Sequence, residues 1–167
     1  MAVEDLTVGT KLRTADGGTT TVKWLGEMPI DTRLVHPARA NPVCITAGAL
    51  GDGLPKQDLR LSPDHAIEID GVLYNAGALV NGTTIYQERG KLPDGFTYYH
   101  IETVAHELLL AEGVPAESFV DYAGREAFDN GDEVRGPIAE MDLPRISAAR
   151  HVPAHLRERL TPKWAAE

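Results

Sequence analysis

The chain of 167 residues has a single cysteine, Cys44, so no disulfide can form within it and a cysteine-stapled extracellular framework is excluded. No apolar run approaches the roughly 20 residues that span a bilayer, and the opening residues lack the basic and apolar regions of a signal peptide. Lysine and arginine number 16 against 25 aspartate and glutamate, a formal charge of -9, and no basic cluster precedes the C-terminal tail. A nucleic-acid surface, which needs clustered cations to meet phosphates, is therefore not expected. The chain also lacks an internal repeat, an HExxH helix and any Cys-His ligand spacing. The expected location is cytoplasmic by default, with export left open for a precursor carrying an upstream segment.

What is present suits one folded domain, since 43% hydrophobic and 25% charged residues supply a sizeable core. Sixteen glycines and 11 prolines recur at short intervals, and the stretches between them are rich in Val, Ile, Leu, Thr and Tyr. That pattern predicts many short strands joined by turns. The predicted strands cover residues 11–14, 20–25, 42–45, 59–61, 66–69, 72–75, 84–87, 96–102 and 107–111. Asp16-Gly17-Gly18 and Asp70-Gly71 are hairpin signals, because glycine takes the positive φ that tight hairpins require.

Helical signals are confined to a single turn over 75–80, the segment Pro115-Ala116-Glu117-Ser118, and residues 152–160, with Pro153 near the start and Arg157 and Arg159 near the end. Residues 130–145, rich in Gly, Asp, Glu and Pro, read as a loop or tether. The organisation expected is a β domain over 1–128 followed by a loop and short helical tail over 129–167. The tail is locally basic, through Arg145, Arg150, Arg157, Arg159 and Lys163, and reads as a solvated helix folding back on acidic surface.

Two histidine-bearing stretches stand out. The first is Leu59-Arg60-Leu61-Ser62-Pro63-Asp64-His65-Ala66-Ile67-Glu68-Ile69. The second is Tyr98-Tyr99-His100-Ile101-Glu102-Thr103-Val104-Ala105-His106-Glu107-Leu108-Leu109-Leu110-Ala111-Glu112-Gly113. Together they resemble the paired histidine blocks of the Hint (hedgehog/intein) fold, in which the first block reads Thr-x-x-His and the second places a His before an apolar strand ending in Gly. The resemblance runs from Val3-Glu4-Asp5-Leu6-x-x-Gly9 to Ala127-Phe128 and is nearest to the bacterial, hedgehog-like Hint subfamily. Its most specific pieces are Val22-Lys23-Trp24-Leu25-Gly26, Ala47-Gly48-Ala49-Leu50-Gly51 and Glu112-Gly113-Val114-Pro115-Ala116-Glu117-Ser118. It implies a mainly β fold with pseudo-twofold halves, self-processing chemistry without a cofactor, a monomer, and a covalently linked upstream polypeptide as partner.

In that family a Cys at the junction attacks the preceding carbonyl. The Cys and its short strand precede the Val-Glu-Asp-Leu segment, which here follows directly on Met1-Ala2. Cys44 lies inside a predicted strand and reads as a small buried apolar residue. The expectation is a scaffold that holds the acid-base half of the chemistry and is inactive in cis without the nucleophile.

The resemblance assigns the acid-base roles residue by residue. His65 matches the histidine that protonates the departing amide nitrogen, a step to which a positioned acid contributes roughly 100- to 10,000-fold. On residue type alone it reads as a turn histidine bonded to backbone. Ser62 stands where the family has Thr, keeping the hydroxyl and losing the methyl that restricts χ1. It also reads as part of a Ser-Pro-Asp turn. His106 matches the second-block histidine that assists the later acyl-transfer step. His100 falls where many inteins have Asp, and in a strand it shares one face with Tyr98 and Glu102. No Asn follows Gly113 until Asn130, which argues against splicing and for N-terminal cleavage or acyl transfer to an outside nucleophile. Two alternatives remain: a non-enzymatic β-rich binding module on the same fold, and a metal-dependent hydrolase using His65, His100 and His106 with Asp64 or Glu102.

Overall fold

The computed structural model describes residues 1–90, 92, 95–120, 128–131 and 138–162. The fold is mainly β. In chain order the strands are β1 (Lys11–Arg13), β2 (Thr19–Thr21), β3 (Trp24–Ile30), β4 (Val43–Ile45), β5 (Leu59–Leu61), β6 (Ala66–Ile69), β7 (Val72–Asn75), β8 (Ile85–Gln87), β9 (Phe96–Glu102), β10 (Leu108–Ala111), β11 (Val114–Glu117) and β12 (Arg145–Ile146). Two short α-helices, α1 (Pro37–Ala40) and α2 (Ala154–Leu160), and three 3-10 turns complete the described elements. The central sheet has the order β10-β11-β6-β7-β12. Around it lie β5-β4-β8 and two antiparallel pairs, β1-β2 and β3-β9.

Two tight turns build the central sheet. Asp70 and Gly71, at φ of 53° and 81°, close the β6-β7 hairpin as the sequence predicts. Glu112 and Gly113 take φ of 50° and 85° and close β10-β11 in the same way. Two consecutive positive φ values match the right-handed twist of the strands they join. Glutamate rarely adopts that conformation, so Glu112-Gly113 carried no hairpin signal.

Two expectations need correction. The sequence predicts helix at residues 115–118, but Val114–Glu117 is a strand paired along its length with β10 and joined to β6 at Ala116↔Ile67. The turn that returns the chain from β10 overrides the local preference of Pro115-Ala116-Glu117. The sequence predicts one strand over residues 20–25, but the chain changes partner inside them. Val22 N–H donates to Thr10 O at 2.9 Å, and Lys23 N–H donates to Glu102 O at 2.8 Å. β2 therefore ends at Thr21, and β3 begins at Trp24 against β9.

The main core gathers Val43, Ile45, Ile67, Leu79, Ile85 and Val114 with Val152, Leu156 and Leu160 from the tail. The tail is thus built into the body: β12 runs parallel to β7, and α2 seals one face of the core. Burying Leu156 alone contributes roughly 1.5–3 kcal/mol. Arg159 in the last turn of α2 reaches Asp70 at 2.8 Å, so the helix does fold back on an acidic turn. A second cluster, Trp24, Phe119 and Phe128, packs as mutually edge-on rings 5.2 to 5.4 Å apart.

Candidate active site

A cleft of about 320 Å³ opens between the β3-β9 arm and the turn that enters β6. Met28, Ile30, Tyr98 and His100 wall one side, Ser62, Pro63, Asp64 and His65 the other, and Glu117, Ser118 and Phe119 reach it from the end of β11. The wall is mostly apolar, so polar groups that do face the cleft act in a medium where charge is poorly solvated.

The turn bearing His65 is held by backbone bonds. His65 N–H donates to Ser62 O at 3.1 Å, Ala76 N–H to His65 O at 2.9 Å, and Gly77 N–H to Pro63 O at 2.8 Å. A Cβ at Gly77 would sit 3.1 Å from that same Pro63 oxygen, so glycine permits the close approach that fixes the turn. The ring is fixed too: Nε2 lies 3.0 Å from Glu117 O. A carbonyl only accepts, so Nε2 carries the proton. Nδ1, which has no partner among the described residues, is left as the atom able to take or give a proton. Burial pushes the His65 pKa down, and Arg145 and His106 push the same way, while Glu117 pulls it up.

Glu117 is the residue on which this site converges. Its carboxylate accepts from Ala66 N–H at 2.8 Å, from His106 Nε2 at 3.2 Å, and from both terminal nitrogens of Arg145. Burial pushes its pKa up, but the bonds from His106 and Arg145 outweigh that and hold the carboxyl down at about 2. It is ionised at any ordinary pH. His106 is buried, 6% exposed, behind this carboxylate, and it is not part of the cleft wall. Its Nδ1 accepts from Met141 N–H at 3.0 Å, which leaves Nε2 to donate to Glu117.

His100 sits on β9 opposite Gly26 and faces the cleft. Its ring lies edge-on to Phe128 at 5.0 Å and Phe119 at 5.8 Å, and 6.1 Å from the ring of His65. Burial lowers its pKa to about 4, helped by His65, so it is neutral at pH 7. Gly26 makes room for this arrangement. A Cβ there would meet the Trp24 ring at 2.4 Å and the Phe128 ring at 2.9 Å.

The structure therefore brings Ser62, His65 and His100 to one cleft and sets His106 one residue layer behind, linked to His65 through Glu117. Asp64 is exposed at the rim, and Glu102 is buried at the far end of β9 with Lys23 Nζ 2.8 Å away. Among the described residues no three His, Cys, Asp or Glu side chains converge as a metal site. Cys44 is buried in β4, beside β5 and β8 and outside the cleft. Glu117, Arg145 and Tyr98 carry no site role in the sequence alone. Tyr98 Oη donates to Ala40 O at 2.7 Å, tying the β9 arm to α1, and burial raises its pKa.

The family model for the Hint domain matches residues 1–123. The chain belongs to the Hint domain family. Among solved structures it is similar to the crystal structure of the MchDnaB-1 intein, at 16% identity and a TM-score of 0.45, covering 70% of this chain and 88% of that one. No curated protein matches. Within this Hint domain the matched segment carries Ser62, His65, His100, His106 and Glu117. Phe128, Met141 and Arg145, which close over those residues, lie beyond it.

Proposed function

We propose that this Hint domain is a self-processing module in which His65 moves the proton of an N–S acyl shift, with Ser62 and His100 beside the junction and an upstream polypeptide as the covalent partner. The observation that carries the reading is the His65 ring, fixed by its Nε2–H on Glu117 O in the wall of an apolar cleft, with Nδ1 open. In the reaction a cysteine sulfur at the cleft attacks the carbonyl carbon of the preceding residue. Neutral Nδ1 takes the thiol proton, and the C–N bond breaks as Nδ1 delivers that proton to the nitrogen. The products are a thioester and a free amine. Water or a small thiol then attacks the thioester, releasing the upstream segment and returning the cysteine thiol.

A lowered His65 pKa suits this role, because the imidazolium formed in the first half-step is then a stronger acid toward the poorly basic amide nitrogen. The only thiol among these 167 residues, Cys44, is walled off in β4, so the chain taken alone is expected to stay intact. The test is a fusion of a reporter and a Cys-containing leader in front of Met1, followed by intact mass with and without added thiol. The proposal expects a released reporter, faster with thiol, and none when the leader Cys is replaced by Ala. A reporter that stays attached to the Cys-led domain would sink it.

A further inference from the structure

We infer that Arg145 and the Glu117 carboxylate it grips form a positioning pair for His65, so that the segment after residue 138 is a working part of the acid-base site. The inference rests on the self-processing reading above. It gives a role to Glu117, which the sequence marks only as part of a helical segment and of a family motif, and to Arg145, which it marks only as part of a basic tail.

Glu117 holds the His65 region twice. Its backbone oxygen accepts from the ring, and its Oε1 accepts from the N–H of Ala66, the next residue in the chain. Any movement of Glu117 therefore moves the imidazole and the start of β6 together. Besides His106, what holds the Glu117 carboxylate in turn comes from the segment after 138. Arg145 Nη1 reaches Glu117 Oε1 at 3.1 Å and Asn75 Oδ1 at 3.2 Å, and Asn75 is paired with Ala66 in the β6-β7 ladder. Arg145 spans from β7 to β11 across β6, with His65 at the entry of the strand between them. Its own place is fixed by the parallel register Arg145↔Leu73 and by Leu73 N–H donating to Pro144 O at 2.8 Å. Met141 N–H adds the second contact from this segment, fixing the proton on His106 Nε2 and so aiming it at Glu117.

A fork of two N–H donors on a carboxylate fixes its plane as well as its charge, which a lysine cannot do as well. The charged and titratable groups acting on His65 are Glu117 from β11, His100 from β9, Arg145 from β12 and His106 from the loop before β10, with Asp64 in its own turn and Glu140 3.7 Å from Arg145. In this set Arg145 opposes the pull of Glu117 on an imidazolium. Losing either partner should move His65 in opposite directions, which a purely structural role would not do.

The test is 15N NMR of histidine-labelled full chain, reading the tautomer and titration midpoint of His65 in the wild type and in Arg145→Gln, Arg145→Lys and Glu117→Gln. Wild type should show the proton on Nε2. Arg145→Gln should raise the midpoint and Glu117→Gln lower it, each by roughly half to one unit, a three- to tenfold change in the charged fraction. Arg145→Lys should return most of the way toward wild type. Should Arg145→Gln not fold, the Lys variant decides, through a smaller rise with an altered Nε2 signal. Midpoints and tautomer unchanged in Glu117→Gln and in the Arg145 variants would overturn the inference. The readout needs no upstream cysteine, so a Cys-led fusion that fails to cleave would count against the self-processing reading and leave this result standing on its own.

Discussion

Replacing Gly26 by Ala tests the packing on which the cleft depends. Gly26 lies opposite His100 in the β3-β9 ladder, and the added Cβ would approach two Trp24 ring carbons at 2.4 and 2.7 Å and Phe128 at 2.9 Å. An ordinary carbon contact lies near 3.5–4.0 Å, so the rings must give by about 1 Å. Trp24 is fully buried, and its Nε1–H donates to Asn130 O at 3.1 Å, while Phe128 is wedged between Trp24, Phe119 and His100. Overpacking of this kind costs about 1–3 kcal/mol, and because two packed rings must shift together Gly26→Ala should lose about 2–3 kcal/mol. At about 2–4 °C per kcal/mol for a domain of this size, Tm should fall by roughly 5–10 °C. Urea denaturation followed by tryptophan fluorescence gives the free energy, and the His100 ring signals should shift because Phe128 must move. A loss under about 0.5 kcal/mol with unchanged His100 signals would refute the reasoning.

Three other outcomes follow from the same geometry. Glu117 has its carboxyl held at about 2 against an ordinary 4.5, so its contribution, roughly 3 kcal/mol, is fully present above pH 4.5 and lost as pH falls toward 2. Glu117→Gln should flatten stability against pH across that window, and parallel curves for the two proteins would contradict the ion network. His100 should titrate near pH 4 by NMR, and because the unfolded ring protonates near 6.5, its burial favours folding least at pH 4 and below and imposes no penalty above 6.5. A midpoint near 6.5 would mean the ring is not enclosed by Phe119 and Phe128. Leu156→Ala in α2 should destabilise the whole domain by about 2–5 kcal/mol in a single cooperative transition. A separate low-stability transition of the tail would show instead that it is a detachable appendage.

Much of the strand pattern could be read from the sequence because it is local. Residues 59–61, 66–69, 72–75 and 96–102 are rich in apolar and aromatic residues between glycine, proline and aspartate punctuation, and each is a strand with those bounds. The β11 strand escaped because Pro115 and Glu117 disfavour a strand locally, and what makes it one is a Glu112-Gly113 turn at positive φ. The site divided the same way. Ser62, His65 and His100 carry a recognisable spacing and resemblance, and they share the cleft. Glu117 has no legible role within its motif, because a carboxylate has meaning only once its partners are known. Those partners, Ala66, His106 and Arg145, lie 51, 11 and 28 residues away. Arg145 read as one more cation of a basic tail. Only the parallel pairing of β12 with β7 turns it inward.

The most direct test of the central claim is the single-turnover rate of reporter release from a Cys-led fusion, compared between wild type and His65→Ala at fixed thiol and pH. A proton carried by His65 Nδ1 predicts release from the wild type and a rate roughly 100-fold or more lower in the variant, with circular dichroism of the two unchanged. Equal rates, or release that depends on the leader cysteine and not on His65, would contradict it.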